Sequence, residues 1–239
     1  MAELASPTRR SLVRGAAWSV PVIAVATAAP AFAASPCANK TALQPVTWAT
    51  TTTGTSQTGT TTSGTTVNAT AAYTRSGLTP GSIGSGNLTA QTATTARDSF
   101  SIVNNSPIAL TSDAAAANFQ TVTFNFTVPV FGLTFSIDDI DRGSGYWDWV
   151  SLNATPAETP VPAYGTGTTI TGAGTDTSGW RTTATGGGDN LASQSVTATY
   201  ADGLFGITQV RLRFWSPVAA ATSTAHVLRL RQMSFRTCA

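Results

Sequence analysis

Two short stretches, TVTFNFTV at residues 121–128 and LTFSI at 133–137, constrain the fold more than any other feature. Apolar and polar residues alternate one for one, and only an extended strand sends neighbours of such a pair to opposite faces. Val122, Phe124, Phe126 and Val128 oppose Thr121, Thr123, Asn125 and Thr127, while Leu133, Phe135 and Ile137 oppose Thr134 and Ser136. Each stretch is expected to be a strand with one covered face. Val210, Leu212 and Phe214 repeat the pattern with Arg211 and Arg213 outside, and Val196 to Tyr200 repeats it more weakly. Turn signals separate these runs: Thr79-Pro80-Gly81, Gly143-Ser144-Gly145, Gly186 to Asn190, and Ala201-Asp202-Gly203. Helical periodicity is missing. Antiparallel sheets, each apolar on one side, must meet face to face, so the expected fold is all-β: a two-sheet β-sandwich of jelly-roll type.

The first 33 residues read as an address and not as part of that fold. Ser6 to Gly15, SPTRRSLVRG, sets Arg9 and Arg10 in tandem, and an apolar run ends in the small-x-small triplet Ala31-Phe32-Ala33. This is a twin-arginine export signal with cleavage expected after Ala33. Residues 34–239 then form one domain, whose ten basic and ten acidic side chains cancel. With no basic excess, nucleic acid is not an expected partner, and after signal cleavage no membrane association is expected. A Thr/Gly/Ser-rich stretch at about 51–66 has no apolar anchor and reads as a flexible loop. The two cysteines, Cys37 and Cys238, lie at the ends of this domain, and in an oxidising compartment they are expected to pair, which makes the first and last strands neighbours.

Chemistry concentrates in Phe131 to Leu152, FGLTFSIDDIDRGSGYWDWVSL. If the parity of Leu133, Phe135 and Ile137 continues, Asp139 and Asp141 lie on the core side. Asp148 shares the face of Val150 and Leu152, and Asp138 points away. A bulge at Ile140 would exchange Asp138 for Asp139. Carboxylates so placed need an answering charge. Calcium suits Asp139, Asp141 and Asp148, since it takes six to eight oxygens, including carbonyls from a Gly-rich turn; a solvated tip with an Asp–Arg142 pair is the alternative. Zinc does not suit, because His226 is the only histidine and both cysteines are elsewhere. A catalytic carboxylate pair needs a cleft, which a hairpin tip lacks. No catalytic residues are assigned. Tyr146, Trp147 and Trp149 are the candidate ligand-binding residues: with Val150 and Leu152 inward, Trp147 and Trp149 share the outer side, either to stack on sugar rings or to be covered by a neighbouring loop.

Arg211 and Arg213 on one strand and Arg229 and Arg231 on the next place four guanidiniums on one sheet face if those strands pair, with an interleaved Asp or Thr ladder expected to offset the repulsion. The order of parts, with LTFSIDDID, WDWVSL, ITQVRLRFWSP and HVLRLRQMSF in sequence, resembles secreted β-sandwich surface proteins of actinobacteria exported by the twin-arginine route. The resemblance implies an extracellular module. Together these features lead us to expect a secreted, non-enzymatic binding or adhesion module, with Ca2+ as its ion and cell-wall or extracellular polysaccharide as its partner. A glycan-active hydrolase and a purely structural envelope protein are the alternatives.

Overall fold

The computed structural model describes residues 37–49, 56–74, 88–90, 99–103, 119–143, 147–185, 192–216 and 227–239, all within one compact unit, Pro36–Ala239. The export segment, Tyr146 and His226 lie outside the described residues. Along the chain the strands are β1 (Gln44–Pro45), β2 (Thr47–Trp48), β3 (Ser56–Thr60), β4 (Thr66–Thr74), β5 (Leu88–Ala90), β6 (Ser99–Val103) and β7 (Phe119–Asp138). They continue with β8 (Trp149–Thr155), β9 (Val161–Tyr164), β10 (Ile170–Thr171), β11 (Arg181–Thr182), β12 (Val196–Thr199), β13 (Ile207–Trp215) and β14 (Val227–Arg236). All pairings are antiparallel, and twelve of the strands form one continuous sheet that curls until it is nearly closed.

The sheet turns on β7. The two alternating stretches, expected as separate strands, belong to this single strand of 20 residues. Its first half pairs with β4 and β13, its second with β12 and β14. Between them Thr127, Val128 and Pro129 are exposed, and the β13 register jumps from Ile207↔Val130 to Gln209↔Asn125. Gly132 then takes a positive φ of 55°, a conformation that costs a side-chain-bearing residue steric strain. Burial accordingly moves from even positions (Val122, Phe124, Phe126) to odd ones (Leu133, Phe135, Ile137). Such a bulge lets one strand serve two differently facing halves of a sheet. Val128, expected on the apolar face, is 41% exposed because it sits in this bend.

The two halves bury their apolar sides against each other. Phe124 from the first half lies 6.3 Å from Phe135 of the second, and Phe126 lies 5.4 Å from Phe235 of β14, centroid to centroid. Outward, hydroxyls form the ladder that the alternation implies, with Thr134 to Thr199 at 3.0 Å and Ser136 to Thr197 at 2.8 Å.

The Thr/Gly/Ser-rich stretch differs from expectation: residues 56–60 are β3, paired with β2 and β4. It lacks apolar side chains because a neighbour supplies them. A Cβ at Gly59 would collide with Val46 and come within 2.9 Å of Trp48 Cε3, so glycine is what admits these two side chains to the core. The disulfide Cys37–Cys238 is closed, with a Cα–Cα distance of 5.6 Å, and β1 pairs with β14, so the first and last strands are neighbours as expected.

Candidate functional site

Strand β7 carries its aspartates to one end of the sheet. Asp138 is the last residue of the strand, is itself buried, and accepts a 3.0 Å bond from Arg231 Nη1. Asp139 adopts a positive φ of 69°, which ends the strand's alternation and sends Ile140 into the main core. The main chain then closes a turn in which Asp148 N donates to Asp141 O at 2.9 Å, while Ile140 N donates to the Gln194 carbonyl at 3.1 Å.

This local geometry gathers the three expected carboxylates. Asp139 and Asp141 are 5% and 6% exposed, and Asp148 is fully buried. Asp148 Oδ2 lies 3.5 Å from Asp141 N. Burial first, and then the charge and hydrogen bond of Asp141 and the charge of Asp139, push the pKa of Asp148 well above the usual carboxylate range. Such a carboxyl favours its protonated form. Among the described residues, no group of three or more His, Cys, Asp or Glu side chains is arranged to hold a metal ion. Arg142, expected as a partner of this cluster, instead lies over the Trp147 ring at 4.4 Å.

The tryptophans occupy the outer face of the adjoining strand. Val150 and Leu152 enter the main core, as their parity requires, while Trp149 and Trp215 form a second buried cluster against which Phe119 and Trp147 pack. Trp149 is therefore not an open platform. It is 5% exposed, with Trp215 at 6.0 Å and the Arg181 guanidinium over its ring at 4.2 Å. Trp147 remains half-buried, edge-on to Trp149 at 5.3 Å, with its Nε1 donating to Thr182 O at 2.9 Å.

The segment from Gly172 to Trp180 runs along the edge of β8, with Gly179 close against Trp215. It pairs with β8 through Trp180 N to Val150 O (2.8 Å), Val150 N to Trp180 O (3.0 Å) and Leu152 N to Gly174 O (2.9 Å). Asp176 fastens it: one carboxylate oxygen accepts from Ser151 Oγ at 2.5 Å and Asn153 Nδ2 at 3.1 Å, the other from Arg213 Nη1 at 2.6 Å. Burial pushes the Asp176 pKa up, but the Ser151 hydroxyl, the Arg213 charge and the Asn153 amide outweigh it and hold the group below its ordinary value. Asp176 was not among the expected residues. The available signal was a single acid in the hydroxyl-rich turn TDTSG, in a chain whose β13 arginines had no sequence-local partner.

No protein-family model, curated protein or solved structure matches the chain. Its residues must therefore carry the argument themselves. The expected sharing of one face by four arginines does not occur, because β13 and β14 pair with different halves of β7 and not with each other. Arg213 answers Asp176, with Arg211 at 3.9 Å, and Arg231 answers Asp138. Surface depressions of about 250 Å³ beside Glu158 and about 570 Å³ beside the disulfide are lined by other residues than the three acidic ones.

Proposed function

We propose that this chain is a secreted, non-enzymatic binding module, exported by the twin-arginine route, that attaches to cell-wall or extracellular polysaccharide at the edge formed by Trp147. The observation that carries the reading is the position of that indole. Trp147 is held by its Nε1 bond to Thr182 and its edge contact with Trp149, yet it keeps part of its surface in water. A rigid, partly exposed aromatic on a strand-built support offers contact area to a sugar at little cost in side-chain entropy. Tyr146, the other candidate, adjoins it in the sequence. The face-to-face packing of the two halves of the sheet supports a β-sandwich of jelly-roll type as the scaffold. Burial of Asp148 argues against catalysis there, since a substrate cannot reach a fully enclosed carboxyl.

A structural calcium ion at Asp139, Asp141 and Asp148 is the second part of the reading. It is motivated by two acidic neighbours, Asp139 and Asp141, acting on the fully buried Asp148; the three side chains would have to turn toward one point to ligate the ion. The binding reading is tested with a glycan array and titration calorimetry on the wild-type protein and Trp147→Ala. We expect a polysaccharide hit that the substitution weakens about tenfold or more. Absence of any glycan hit, or undiminished binding by the variant, refutes it.

A further inference from the structure

The two arginines of the tryptophan edge are distinguished by lying over indoles. Lys40 and Arg236 face Asp202, Arg211 and Arg213 face Asp176, and Arg231 faces Asp138. Among the described residues Arg229 is in none of these ion pairs, and the same holds for Arg142 and Arg181. The last two are each laid on an indole, Arg142 over Trp147 at 4.4 Å and Arg181 over Trp149 at 4.2 Å, and the two indoles touch at 5.3 Å. Both side chains are half-buried and keep part of their surface in water. The Arg181 side chain also donates from Nη1 to Gly179 O at 3.1 Å.

A guanidinium stacked on an aromatic face is fixed in orientation while its N–H edge stays open, and that edge matches a carboxylate with two parallel bonds. We infer that Arg142 and Arg181 form an anion-reading pair, and that the polysaccharide bound at this edge is acidic, carrying carboxylate groups of the uronic acid type. This rests on the glycan-binding reading of the Trp147 edge and specifies its ligand. One sugar contacts the exposed part of Trp147, while carboxylates along the polymer meet the two forks. Because domain charge is balanced overall, the selectivity is local to these two residues.

The test compares one sugar backbone in two charge states on the wild-type protein, with its disulfide closed. The probes are polygalacturonate oligomers and the same oligomers fully methyl-esterified, in calorimetry at 50 and 300 mM salt. We expect the acid to bind at least tenfold more tightly than the ester, and its affinity to fall with salt. Arg142→Gln and Arg181→Gln should each weaken binding of the acid about tenfold, the value for one charge-assisted bond pair, and weaken binding of the ester by less. Arg142→Lys, which keeps charge but not the fork, should recover only part. Arg211→Gln, on the Asp176 side, should bind as wild type. Equal affinity for acid and ester overturns the inference and leaves the glycan-binding reading standing. Binding to no glycan, acidic or neutral, overturns both.

Discussion

Replacing Asp176 with Ala tests the account of how the segment from Gly172 to Trp180 is held to β8. The substitution removes three hydrogen-bond acceptor contacts, at 2.5, 3.1 and 2.6 Å, and strands two donors that sit away from water: Ser151 is fully buried and the Arg213 side chain is 17% exposed. An enclosed donor without a partner costs about 1–3 kcal/mol. The ion pair itself contributes less, because the Asp176 side chain is 28% exposed and solvent screens it. Together these give about 3 kcal/mol. For a domain of this size each kcal/mol moves Tm by about 2–4 °C, so a fall of roughly 6–12 °C is expected. Asp176→Asn keeps an acceptor for Ser151 and should lose about half as much. The sign of the pH effect follows from the lowered pKa of Asp176. The carboxylate's stabilisation is present above the ordinary unfolded value and is lost as pH falls through the lower folded value. The difference between wild type and Asp176→Ala should therefore be full at neutral pH and shrink in acid. Urea unfolding followed by tryptophan fluorescence measures it, with Trp215, against which Gly179 lies, as a reporter. A loss below about 0.5 kcal/mol at pH 7, or one unchanged in acid, refutes the clamp.

Two further outcomes concern the termini and the acidic end. Reduction of Cys37–Cys238, or Cys37→Ser, opens a loop with a sequence separation of 201; chain entropy sets the loss at up to about 5 kcal/mol, read as a fall in the urea midpoint with little change in glycan binding. In chelator, the raised pKa of Asp148 makes the tip most stable below the ordinary carboxylate range, with stability lost as pH rises through the folded value. Each tenfold increase in that proton affinity corresponds to about 1.4 kcal/mol. Calcium should raise Tm at neutral pH and flatten this dependence, and Asp148→Asn should abolish both effects. An unchanged melting temperature with calcium and with chelator sinks the calcium reading.

Sequence alone determined what depends on neighbours a few residues apart. Period-two alternation assigned Phe124, Phe126, Leu133, Phe135, Ile137, Val210 and Leu212 to the interior, and all are buried. The paired cysteines made the first and last strands adjacent, whereas parity stops at Ile137: Asp139 takes a positive φ and Ile140, which continued alternation would send outward, enters the core. Tertiary structure decided what depends on distant partners. A change of parity from Phe126 to Leu133 is visible in the residues, but only the pairing of β7 with four other strands shows one continuous strand that bends. Gly59 looks like loop composition until Val46 and Trp48 occupy the space its missing side chain leaves. Parity placed Trp149 on the outer face correctly, yet its burial is set by Trp147 beside it and by Trp215 and Arg181 from distant parts of the chain, which lie against its ring. Alternation fixes which way a side chain points. Whether water meets it depends on which segment returns to cover it, and that return is set by long-range hydrogen bonds and burial that no local pattern encodes.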